Sequence, residues 1–138
     1  MYLIGFPLLV IPFAIYNMIA FLLPSLGWTD KVATIHLMSG QDWLLTTEDI
    51  LLALSIVLLG IEVIKATRMG IRGLMDHVLS MLLFIVMLVE FLLVQRAGTS
   101  TFFILMVISL VDVLAGFIIT ARTAQRDIQV EHDVAPTV

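Results

Sequence analysis

Apolar and polar positions divide the chain into four apolar runs, residues 3–23, 49–68, 75–94 and 101–121. Each is near the roughly 20 residues needed to cross about 30 Å of hydrocarbon. The third run, Met75 to Val94, organises the pattern. At heptad spacing it gives Asp76, Ser80, Leu83, Met87, Glu90 and Val94, so every strongly polar side chain except His77 falls on one helix face. In the second run Glu48, Ser55 and Glu62 recur every seven residues. In the fourth, Ser109, Asp112, Gly116 and Thr120 form a small, polar stripe of the kind that lets helices approach closely. Polar faces without water must face each other or a partner. The pattern predicts an all-α membrane protein, a four-transmembrane-helix bundle over residues 1–121, followed by a cytoplasmic tail of little order over residues 122–138.

Between the first two runs the period changes. Ala33, Ile35 and Leu37 alternate with Thr34 and His36, Ser39 to Asp42 supply turn chemistry, and Trp43 to Thr46 resume an extended pattern. This predicts a short outer β-hairpin, with an amphipathic interfacial segment as the competing reading. Pro7 and Pro12 predict a kink in the first helix. Trp28 reads as a headgroup-level anchor, and Thr46-Thr47-Glu48-Asp49 as a capping box that starts the second helix. The short turn from Arg96 to Ser100 makes the third and fourth helices antiparallel neighbours and places a serine or threonine to cap the fourth. The first run has no Lys or Arg before it and no small-residue cleavage pattern, so it reads as a retained helix rather than a signal peptide.

Composition sharpens this picture. The 138 residues are 61% hydrophobic and 13% charged, where soluble domains carry about a quarter charged residues. The lipid bilayer is the expected partner and solvent. A net charge of −4 without a basic stripe argues against nucleic acid, and the absence of cysteine excludes disulfides, thiolate metal sites and cysteine nucleophiles. Lys65 and Arg68 stand at the end of the second run, Arg72 between it and the third, and Arg122 and Arg126 follow the fourth, against a lone Lys31 in the first connection. This asymmetry places both termini in the cytoplasm.

Candidate chemistry centres on the carboxylates of the third and fourth runs. Counting helical rise puts Glu90 about 10 Å and Asp112 about 16 Å below the outer ends of their helices. A charge near the bilayer centre costs about 2.5–3.5 kcal/mol even on lenient scales. The two are therefore expected in one buried network with Asn17, Ser55 and Ser109. Glu62 with Lys65, and Asp76 with Arg72, read as interfacial ion pairs, and His77 as a solvated or hydrogen-bonded helix-end residue. His36 reads as a surface residue and Glu131-His132-Asp133 as a solvated charge run. No catalytic residue, metal site or cofactor is expected: H-E-x-x-H, G-x-S-x-G and the G-x-G-D of intramembrane aspartyl proteases are all missing.

Size and helix number resemble the small multidrug transporters, but those carry an essential carboxylate in the first helix, where this chain has Asn17. Residues 61–68, 76–81, 90–92 and 99–103 and Asp112-Val113-Leu114-Ala115-Gly116 resemble a family of small uncharacterised four-helix proteobacterial inner-membrane proteins. That resemblance implies a multi-pass protein of the bacterial inner membrane and brings no activity with it. The expected function is non-enzymatic: helix association, as a homo-oligomer or as an accessory or assembly subunit of a larger complex of membrane proteins. The alternative is a small proton- or cation-coupled transporter or channel using Glu90 and Asp112.

Overall fold

The computed structural model describes residues 7–69 and 74–134. Helix α1 (Val10–Leu22) leads into an antiparallel hairpin of β1 (Lys31–His36) and β2 (Asp42–Thr46), followed by α2 (Thr47–Met69), α3 (Leu74–Leu93), a single 3-10 turn (Gln95–Ala97) and α4 (Ser100–Val134). Thr47–Arg68, Leu74–Leu93 and Ser100–Arg126 are long and apolar enough to cross a membrane.

The first helix is shorter than the apolar run predicts. Pro7 to Leu9 lie outside it, leaving 13 residues. That is about 20 Å of helix, less than the roughly 30 Å of a bilayer core. Pro12 falls in its first turn, where a backbone N–H has no intrahelical partner, so the expected loss of a helical hydrogen bond does not arise there.

The hairpin is the predicted one. His36 pairs with Asp42 and Thr34 with Leu44, and the register shifts between Lys31 and Ala33. Gly40 at the tip has φ 89°, a conformation that glycine adopts without steric cost. Exposed His36 makes an ion pair with Asp42 across the strands. The capping box is also present: the Thr46 N–H donates to Asp49 Oδ2 at 3.0 Å, and the Asp49 N–H to Thr46 Oγ1 at 3.4 Å.

Helix α4, not the Met75–Val94 stretch, is central: α2 and α3 both pack on it. Because α2 and α4 start at the hairpin end and α3 finishes there, α3 runs antiparallel to both. Nor does α4 end at Ala121; it runs for 35 residues to Val134. No Gly or Pro interrupts the chain between Gly116 and Pro136, so nothing local stops the helix.

The distribution of side chains is inverted relative to a water-soluble bundle. Ser55, Glu62, Asp76, Ser80, Thr101, Ser109 and Asp112 are buried, whereas Ile56, Val57, Leu82, Val86, Leu93, Leu114 and Phe117 are each more than half exposed. The predicted heptad face of α3 is the inward one at Asp76, Ser80, Leu83 and Met87.

At the hairpin end the packing converges on Tyr16, which is fully buried. Its ring stacks on Trp28 at 4.5 Å and meets Phe102 edge-on at 4.9 Å. Trp28 is therefore packed against the core rather than standing alone as an anchor. The Tyr16 hydroxyl lies 2.9 Å from the Arg96 carbonyl, to which it donates, and 2.7 Å from Thr99 Oγ1. Thr99 in turn caps α4 through the Phe102 N–H at 3.2 Å, and Thr101 donates to Glu48 Oε2 at 2.7 Å. Tyr16→Phe, which keeps the ring and removes the hydroxyl, should cost about 1 kcal/mol. Tyr16→Ala should cost about 3–5 kcal/mol, as truncation of a buried aromatic does. Thermal melts in detergent of the two variants check the order and the gap.

Candidate functional site

Three helices bring polar side chains together in the half of the bundle remote from the hairpin. From α2 come Glu62 and Lys65, one turn apart; from α3, Asp76, His77 and Ser80; from α4, Asp112 and Gly116. Lys65 Nζ lies 3.1 Å from Glu62 Oε1 and 3.1 Å from Asp76 Oδ2, so one ammonium ties α2 to α3. Glu62 is only 3% exposed, and its Oε1 also accepts the Leu8 N–H at 2.7 Å. That amide lies just ahead of α1, whose N-cap residue Leu9 makes no side-chain cap. A carboxylate from α2 therefore meets the positive end of the α1 dipole.

Asp112 is buried beside this triad. Its side chain is in hydrogen-bond contact with Ser80, and Glu62, Asp76 and Lys65 are within electrostatic reach. A small cavity of about 20 Å³ lies among Glu62, Asp76, His77, Ser80, Asp112 and Gly116, enough for about one water molecule. Asp76 Oδ1, His77 Nδ1 and Asp112 Oδ2, on residues that line it, are buried without a hydrogen-bond partner among the described residues. The His77 ring is drawn against α4: a Cβ built on Gly116 would sit 2.7 Å from Nδ1, and the Phe117 ring is 6.5 Å away. Glycine is required at that position because the imidazole occupies the space a side chain would fill. Among the described residues, no group of three or more His, Asp and Glu side chains is arranged to hold a metal ion.

No family model, curated protein or solved structure matches this chain.

The five residues expected in one network are distributed differently. Asn17 donates to the Phe13 carbonyl at 3.0 Å and reaches Glu90 Oε2 at 3.5 Å, which makes it the interhelical contact the sequence predicted. Ser55 turns back on its own helix, donating to the Leu51 carbonyl at 2.7 Å, and buried Ser109 Oγ has no partner among the described residues. Asp112 joins the Lys65 cluster instead of Glu90. The reason is depth. Helix α3 ends at Leu93, and Val94 is already extended with ψ 119°, which puts Glu90 only about 5 Å from the helix end. Asp112 is 12 residues into α4, about 18 Å down, level with Ser80 rather than Glu90. Leu83, Met87, Leu105 and Ile108 belong to the apolar core that fills this interval.

The residues expected at the interface, Glu62, Lys65, Asp76 and His77, prove to be the core of the cluster. Glu62 does pair with Lys65, but in a buried setting. Asp76 also pairs with Lys65; its expected partner Arg72 lies outside the described residues. His77, partly exposed, sets the Nδ1 side of its ring against Gly116. Local spacing could not reveal the Lys65–Asp76 bridge or the Leu8 amide contact, which connect different helices. The available signal was that the Glu62 heptad stripe and the Asp76 stripe each required a polar partner surface.

Two substitutions test this packing. Gly116→Ala should destabilise the protein by about 1–3 kcal/mol, the range for overpacking. Gly60→Ala, on a helix surface with nothing within 4 Å, should stabilise by about 0.5–1 kcal/mol through helix propensity. Equal melting shifts of the same sign would refute the assigned environment of His77. Lys65→Met leaves two buried carboxylates without their cation and should cost about 3–5 kcal/mol, more than either glycine change. Chemical denaturation in micelles ranks the three.

Proposed function

We propose that this chain is a multi-pass protein of the bacterial inner membrane that works without catalysis. It acts through helix association, as a homo-oligomer or as an accessory or assembly subunit of a larger complex. The carrying observation is the inverted surface: apolar side chains face outward along α2, α3 and α4, while buried carboxylates face inward. Soluble monomers rarely expose contiguous apolar patches above a few hundred Å². Lipid or apolar helices of a partner are the surroundings that such faces suit. In this reading the short α1 completes a four-helix transmembrane domain, its start held inside the bundle by Glu62.

Orientation follows from charge. Lys65 and Arg68 stand near the end of α2 remote from the hairpin, and Arg122 and Arg126 follow on α4, while Asp30, Asp42, Glu48 and Asp49 gather around the hairpin. The cationic end is the cytoplasmic one in this reading. Exposed Val32, Trp43 and Leu44 suit the hairpin to an outer interface. The extension of α4 past Ala121 reaches the cytoplasm as a helical arm, a ready surface for a subunit partner.

A second reading, proton- or cation-coupled transport or conduction, is favoured by the polar cavity beside Asp112. Glu90, which that reading also used, lies apart from it.

Single cysteines at Gly40 and Gln125 should react with a membrane-impermeant maleimide from opposite sides, since the native chain has no cysteine. Labelling of both from one side overturns the topology. Native mass spectrometry in mild detergent should show a defined oligomer or a stoichiometric complex; a monomer with robust proton flux in liposomes would replace the assembly reading with the transport one.

A further inference from the structure

The cluster contains three carboxylates, Glu62, Asp76 and Asp112, and Lys65 is placed to compensate the first two. Lys65 bridges Glu62 and Asp76, and Glu62 has the Leu8 amide and the start of α1 as further electrostatic support. Among the described residues, the polar contact of the Asp112 side chain is the Ser80 hydroxyl, with Lys65 within electrostatic reach. Asp112 is 6% exposed, Asp76 is 5% exposed, both residues line the same small cavity, and each has a buried oxygen without a hydrogen-bond partner among the described residues. Two such acceptors on residues that line one cavity, with more negative charge than Lys65 cancels among the described residues, call for a donor between them. The cavity volume suits a water molecule. The lack of any metal-ligating arrangement among the described residues disfavours a divalent ion.

We propose that this cavity is a proton-binding site: one exchangeable proton, held on Asp112 Oδ2 and relayed through a single water to Asp76 Oδ1. Proton release from Asp112 leaves a carboxylate there, and the water passes the proton to Asp76, which then loosens its hold on Lys65. The groups facing the site are Glu62 and Lys65 from α2, Asp76 and His77 from α3, and Asp112 itself on α4. His77 Nδ1, buried and without a partner among the described residues, belongs to the same lining as a further polar group for the water. Loss of the Lys65–Asp76 bridge removes the ion pair that ties α3 to α2 while both stay packed on α4, so proton occupancy is coupled to how the helices are tied. This inference deepens the transport reading by naming the ion and the residues, but it does not require net flux.

The test is infrared difference spectroscopy on the full-length protein in liposomes, in H2O and D2O, together with proton flux on the same samples. Wild type should show the C=O stretch of a buried protonated carboxyl that shifts in D2O. The band should vanish in Asp112→Asn and persist unchanged in Glu90→Gln. Ser80→Ala, which leaves every charged residue in place, should shift the band because the hydroxyl contact to that carboxyl is gone; it keeps the test decisive if Asp112→Asn does not fold. Absence of a protonated-carboxyl band overturns the proposal, as does a band that ignores both cluster variants or one that responds to Glu90→Gln. A band with the expected pattern and no flux upholds the site while removing the transport reading; flux without the band does the reverse.

Discussion

Lys65 is the constraint on which the remote half of the bundle depends. A partly buried ammonium among buried carboxylates is tolerable only when it is paired, and here it lies 3.1 Å from a carboxylate on its own helix and 3.1 Å from another on α3. Satisfying it fixes where α3 stands relative to α2 on their common neighbour α4. Glu62, already committed to Lys65, takes the Leu8 amide as well, so the same pair sets where α1 begins. With Asp76 fixed, Ser80 one turn along meets Asp112, and α4 is placed. Where the surroundings of the helices are themselves apolar, hydrophobic burial supplies little association energy, and such polar contacts and close packing carry a larger share.

The hairpin end is organised on another principle. Tyr16, Trp28 and Phe102 form an aromatic cluster, and hydrogen bonds from Tyr16, Thr101 and Arg96 join α1, α2, the 3-10 turn and α4. Between the two ends lies an apolar layer that includes Leu83, Met87, Leu105 and Ile108. Glu90 and Asp112 fall on opposite sides of that layer. Their separation decides which carboxylates are able to act together, and joins Asp112 to Glu62 and Asp76.

The long α4 serves both ends. Its first turn is capped by Thr99 and tied to Glu48, its middle carries Asp112 and Gly116, and its continuation to Val134 outruns α2 and α3. A helix that contacts both neighbours and then projects beyond them fits the proposed assembly role. In the proposed proton site, the cavity beside it is where a proton would change how those helices hold one another.

Much of this architecture was determined by periodicity alone. The apolar runs, the inward heptad face through Asp76, Ser80, Leu83 and Met87, the hairpin around Gly40 and the Thr46 capping box are local patterns. Each depends on residues a few positions apart, which sequence displays directly. Tertiary structure alone decided which polar stripes meet. Glu90 and Asp112 were about 6 Å apart in depth when counted from assumed helix ends, but the end of α3 at Leu93 and the start of α4 at Ser100 put them about 13 Å apart. The Lys65–Asp76 bridge, the Leu8 amide on Glu62 and the His77 ring against Gly116 join separate helices, so their partners follow from the slide and rotation of one helix on another. Those two degrees of freedom leave no trace in local spacing.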